Sequence, residues 1–283
     1  MISHLRGSGI DADWHATLRP DSNRDAVSGV RALAEQLARR AGDIVKRGQT
    51  ALVLGGDHSC AIGSWKGIAG ALARRGPLGL IWIDAHLDSH TPETTPSGRL
   101  HGMPLACLLG YGDARLTSVA GGVRLDPRRL CVVGTRSFEP SEEALLRSLG
   151  VRIFFMCDVV RRGLAAVMSD ALAIARGAPA GYGVSVDLDV LDPRDAPGVG
   201  SPVPDGIRVL ELRRQLARLA DDTALVAMEI AEYNPVFDRG NVTALAVRGL
   251  IGAVMGSRAQ RCGVRRAGPR AAVTPLTLRK QPA

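Results

Sequence analysis

The chain has 283 residues, a length suited to one large α/β domain, and 46% of them are hydrophobic, enough to bury a sizeable core. It contains no run of 18 apolar residues and no signal-like N-terminus, so a membrane span is not expected and a cytoplasmic protein is the default. The formal charge of +8 sits almost wholly in the segment 257–283, which carries seven basic residues and no acid, while 29 basic and 28 acidic residues nearly cancel elsewhere; the body therefore lacks the basic footprint of a nucleic-acid binder.

Along the chain, short apolar runs alternate with longer amphipathic stretches. The runs 51–54 (ALVL), 78–84 (LGLIWID), 130–134 (LCVVG), 151–156 (VRIFFM), 183–187 (GVSVD) and 224–230 (ALVAMEI) predict strands, being short, rich in branched residues and bounded by Gly, Asp or Pro. Helical spacing covers roughly 25–46, 59–74, 141–149, 164–176, 207–219 and 241–254, with Asp205 a candidate cap for the fifth. Strands that are apolar throughout and separated by helices imply a mostly parallel, doubly wound sheet covered on both faces. No repeat or linker divides residues 1–256, which read as one catalytic domain, and the basic segment 257–283 reads as a flexible tail. Five widely spaced cysteines without a CxxC fit small buried thiols and not a disulfide framework or a zinc site.

Ligands of such sheets lie beyond the carboxyl ends of the strands. The polar residues found there are Asp57 and His58 after the first strand, Asp84, His86 and Asp88 after the second, Asp187 and Asp189 after the fifth, and Glu232 after the last. Four aspartates and two histidines converging from three loops carry four negative charges with no base among them, and they repel unless cations neutralise them. Two divalent ions would do so, and oxygen-rich ligation with a minority of imidazole suits Mn²⁺ better than Zn²⁺ or Cu²⁺.

The runs GGDHS (55–59), DAHLD (84–88), SGRLHGMP (97–104), SVDLDVLDP (185–193) and EYNP (232–235) resemble the ureohydrolases, and within them arginases, over about residues 25–256. The resemblance implies a three-layer α/β/α fold and two Mn²⁺ ions. His58 and Asp88 would hold one ion, His86 and Asp189 the other, and Asp84 and Asp187 would bridge them. It also implies hydrolysis of a guanidinium by a metal-bridging hydroxide, with Asp189 bonded to that hydroxide, Glu232 gripping the guanidinium and His101 shuttling a proton. Family members act on small guanidino compounds and suggest a homotrimer or homohexamer.

Two positions depart from the family's substrate-head pattern. Where arginases carry asparagines this chain has His90 and Arg99, whereas Ser97 is kept, Glu139 stands where many have Asp to meet the α-amino group, and Ser201 replaces a threonine. A cation at Arg99 favours a guanidino acid: L-arginine first, 4-guanidinobutyrate second, agmatine third. The family's first strand and Gly-rich loop have no clean counterpart before Asp25; Gly9–Trp14 is the nearest candidate, so an N-terminal strand is expected to be missing, and a weakly active paralogue with a structural role is the alternative reading.

Overall fold

Residues 12–262, apart from residue 22, are described by a computed structural model. In chain order they form α1 (Ala26–Lys46), β1 (Ala51–Leu54), α2 (Ala61–Leu72), β2 (Gly79–Ile83), α3 (Pro104–Leu109), α4 (Ala114–Thr117), β3 (Leu130–Thr135), α5 (Pro140–Ser148), β4 (Arg152–Phe155), α6 (Met156–Arg162), α7 (Leu164–Arg176), β5 (Tyr182–Asp187), α8 (Val209–Ala217), β6 (Leu225–Ala231) and α9 (Val242–Cys262). All six expected strands are present. They make one sheet in the order β1-β6-β5-β2-β3-β4, and every pairing is parallel.

Successive side chains of a strand point to opposite faces, and here both faces are apolar. Ile81, Ile83, Cys131, Val133, Val184, Val186, Met228 and Ile230 face a core completed by α7, α8 and α9. Leu80, Trp82, Leu130, Val132 and Ala227 face the opposite core, completed by α1, α2, α3 and α5. The result is a three-layer α/β/α sandwich. Gly63 and Gly67, one turn apart on α2, let its backbone lie against α1: a Cβ there would sit 2.6 Å from the Ala34 carbonyl oxygen and 2.3 Å from that of Ala38.

Several expectations need correction. Asp205 does not cap α8; it sits at φ +59° in the preceding loop, and the Val209 N–H instead donates to Asp195 Oδ2 at 2.9 Å. The apolar run ending in Met156 is only partly strand, because Met156 starts α6. Cys60, Cys107 and Cys131 are buried but Cys157 is exposed. Among the described residues no strand precedes β1, which is an edge strand; of the candidate Gly9–Trp14, residues 12–14 are not strand and residues 9–11 lie outside the described residues. Helix α9 runs six residues into the basic segment, and the rest of that segment lies outside the described residues.

Candidate metal centre

The winding of the sheet reverses between β2 and β5. The chain proceeds outward from β2 to β3 and β4 on one side and from β5 to β6 on the other, leaving a crevice at their carboxyl ends. Ile83 pairs with Val186, so the next residues, Asp84 and Asp187, end adjacent strands side by side. Each then opens a turn stitched by its own carboxylate: His86 N–H donates to Asp84 Oδ1 at 2.6 Å, and Asp189 N–H donates to Asp187 Oδ1 at 2.9 Å. These turns bring His86 and Asp189 back over the strand ends. Asp88 adopts φ +46°, a left-handed conformation an L-residue holds only at some cost.

His58 arrives from the loop after β1. Its ring stacks on Trp82 with centroids 4.0 Å apart, and the Trp82 indole N–H donates to Asp84 Oδ2 at 2.8 Å. His58 Nδ1 lies 2.9 Å from Asp187 Oδ2, 3.2 Å from Asp88 Oδ2 and 3.3 Å from Asp84 Oδ2. On the other side of Asp84, His86 Nδ1 lies 3.0 Å from Asp189 Oδ2 and 3.6 Å from Asp84 Oδ1. The six residues thus form two potential ion-holding groups, His58–Asp84–Asp88–Asp187 and His86–Asp84–Asp189, with Asp84 common to both.

One observation tests whether a cation belongs there. His58 Nε2 is 3.0 Å from Ser185 Oγ, and the Ser185 hydroxyl donates to the buried Glu229 carboxylate at 2.7 Å. Having given its proton to Glu229, Ser185 accepts from His58, which puts the imidazole proton on Nε2. Nδ1 is then a bare lone pair, and it is the one buried side-chain N or O atom among the described residues without a hydrogen-bond partner. An unprotonated nitrogen aimed at three carboxylates has no use for another acceptor; it fits a metal ion.

The electrostatics agree. Burial, then the neighbouring Asp189 and Asp84, push Asp187 well above the usual carboxyl range, and burial with Asp84 does the same to Asp88. Burial and Asp84 raise Asp189 to about 6. Burial alone would lower His86, yet Asp189 and Asp84 carry it to about 12 against that penalty. Four carboxylates buried together stay ionised only beside positive charge, which two divalent cations would supply.

The centre opens into a cavity of about 330 Å³. Glu232 lies on its wall beyond β6, at φ +65°; its N–H donates to the Gly56 carbonyl at 2.7 Å and its Oε1 accepts from the His58 N–H at 2.8 Å. This stitching holds the carboxylate against the metal loops, where burial and then Asp187 raise its pKa to about 7. His101 Nδ1 stands 3.8 Å from Glu232 Oε1, and partial burial lowers its pKa. His90, Ser97, Arg99, Glu139 and Ser201 all line the same cavity.

A profile described as the arginase family matches residues 10–256. The chain belongs to that family. It is 40% identical to an arginase of Bacillus caldovelox over 239 residues, 84% of this chain and 79% of that one, and 41% identical to an arginase of Brevibacillus brevis over 225 residues, 79% and 74% respectively. Its fold superposes on a crystal structure of arginase from Bacillus subtilis with a TM-score of 0.83 at 33% identity, covering 90% of this chain and 88% of the other.

Three residues of this family member escaped the sequence reading. Glu229 is fully buried and gathers Ser64 (2.5 Å), the Trp65 indole (2.9 Å) and Ser185 behind His58. Its signal was present: an acid within the apolar run AMEIA has to find partners inside. Ser185, in GVSVD, carries the same signal more weakly. Arg136 binds the carbonyls of Asp189, Val203 and Pro204 at 2.8 to 2.9 Å, fastening the loop after Asp189; no local pattern marks it.

Proposed function

We propose that the protein hydrolyses L-arginine to L-ornithine and urea, using two Mn²⁺ ions held by His58, Asp84, Asp88, Asp187, His86 and Asp189. The observation that carries this reading is the bare, buried Nδ1 of His58 facing three carboxylates beneath the cavity that presents Glu232 and His101. The donor set is mostly carboxylate oxygen with two imidazoles, the mixture that suits Mn²⁺. When bound, the ions supply positive charge against four carboxylates and acidify a water enough to make it a nucleophile near neutral pH.

The chain's own residues do the rest. Glu232 takes the guanidinium, whose planar N–H fork matches a carboxylate, and its two backbone-anchored bonds fix the guanidinium carbon relative to the metal loops. By the family's pattern, Asp189 would accept a hydrogen bond from the attacking water. That water's oxygen forms the new C–O bond, the bond from the guanidinium carbon to Nε breaks, and the departing amine, ornithine's δ-amino group, needs a proton. His101, kept neutral near pH 7 by its lowered pKa, can collect a proton and pass it to that nitrogen. Arg99, Glu139, Ser97 and Ser201 face the amino-acid head. The family suggests a cytoplasmic homotrimer or homohexamer.

Urea release from L-arginine, 4-guanidinobutyrate and agmatine by the Mn²⁺-loaded protein tests the reading. Arginine is expected to be the preferred substrate, with chelation abolishing turnover. No urea from arginine with two ions bound would overturn it.

A further inference from the structure

The two departures in the head region, His90 and Arg99, occupy different environments. His90 is buried, and both ring nitrogens are engaged by the protein. Nε2 lies 2.9 Å from Glu139 Oε2 and 3.4 Å from Glu142 Oε2, and Nδ1 lies 3.2 Å from Thr94 Oγ1. With carboxylates on its Nε2 side, that nitrogen is the donor. Neither nitrogen is left to bind a substrate.

Glu142 is the anchor of this cluster. It is 3% exposed; Oε1 accepts from the Ser89 N–H at 3.0 Å and Oε2 from the Glu139 N–H at 3.0 Å, the latter closing the first turn of α5. Its oxygens are spent on holding the loop after Asp88 to the start of α5. Glu139 differs: its side chain is 52% exposed on the cavity wall, and the bond from His90 engages Oε2 alone. Side-chain hydrogen bonds, with the Glu142 carboxyl first and from His90 next, hold the Glu139 carboxyl below its usual range. Arg99 lines the same cavity and has no carboxylate partner among the described residues. The mouth therefore offers one fixed anion and one uncommitted cation, complementary to a zwitterionic head.

We propose that His90 is a positioning residue: it clamps Glu139 against Glu142 so that the Glu139 carboxylate is a preset acceptor for the α-ammonium of a guanidino amino acid, while Arg99 receives the α-carboxylate. This rests on the arginine reading above and deepens it. A flexible glutamate would have to be ordered on binding at a cost in side-chain entropy; the clamp removes that cost in advance and selects for substrates that carry the ammonium.

The test compares L-arginine with its des-amino analogue, which keeps the guanidinium and the carboxylate. His90→Ala is expected to raise KM for arginine on the order of tenfold, the loss of one charge-assisted hydrogen bond's worth of positioning, with kcat changing by less than about twofold. KM for the des-amino analogue should shift far less. Glu139→Gln should show the same split, and the double variant should lose little more than either single one, because the two act as a unit. His90→Gln, which can still donate to Glu139, should recover part of the loss and guards against a folding artefact. Equal effects on both compounds, no effect on arginine, or fully additive losses would overturn the clamp. A wild-type protein that releases no urea from arginine would instead sink the reading beneath it.

Discussion

Ser185→Ala isolates the hydrogen-bond chain behind His58. In the wild type, Ser185 gives its proton to Glu229 and takes one from His58 Nε2, leaving Nδ1 bare. The alanine variant removes that acceptor. Without metal the ring proton can move to Nδ1, where Asp187 Oδ2 waits at 2.9 Å, so the metal-free fold loses little beyond one donor to Glu229. An ion at Nδ1 forces the proton back to Nε2, now buried without a partner, and an unsatisfied buried donor costs about 1–3 kcal/mol. Affinity at the His58 group should therefore fall by about 5- to 150-fold, since each 1.4 kcal/mol is tenfold. Calorimetric titration of the metal-free variant with Mn²⁺ would resolve this, the His86 group being expected to weaken less. Wild-type affinity at both groups in a folded Ser185→Ala protein would refute the tautomer argument.

Two further outcomes are expected. A carboxyl whose folded pKa is raised stabilises the fold below its unfolded pKa, and that stability is lost as pH rises through the folded value; with Asp189 moved from 3.8 to about 6, on the order of 3 kcal/mol, the metal-free protein should lose thermal stability between about pH 4 and pH 6 while the Mn²⁺-loaded protein does not, as thermal melts across that range would show. His101→Asn should lower kcat by about 10²- to 10⁴-fold, the usual worth of a proton-transfer group, with metal content unchanged by elemental analysis; loss of metal would mean that its role is structural.

Much of this was legible in the chain. The six strands were legible as short apolar runs, most of them bounded by Gly, Asp or Pro, and because both sheet faces are covered, none needed the polar–apolar alternation that would blur the reading. The candidate metal-ligating residues were legible for a related reason: each ends a strand or lies in the loop just after one, so sequence order placed them at one rim. Helices α3, α4 and α6 were missed because they are short, and α3 (PLACLL) is buried on every side and has no polar face to give it a period. Asp205 failed as a cap because the nearby Asp195 reaches Val209 first, a contact across 14 residues that no local rule anticipates. What His90 touches was equally invisible, since Glu139 and Glu142 lie about fifty residues away and meet it only when α5 docks beside the loop after β2.

The two ligand groups differ in depth. His58 and Asp84 are wholly sealed from solvent and Asp187 is 2% exposed, whereas the His86 side chain is 26% exposed on the cavity wall. Both groups nevertheless reach the cavity wall, the inner one through Asp88 and Asp187 and the outer one through His86 and Asp189. The difference lies instead in surroundings: with His58 and Asp84 sealed from water, charge at the inner group is screened less than at the outer one. An ion held at the inner group would tie together the loops after β1, β2 and β5, three separate parts of the chain.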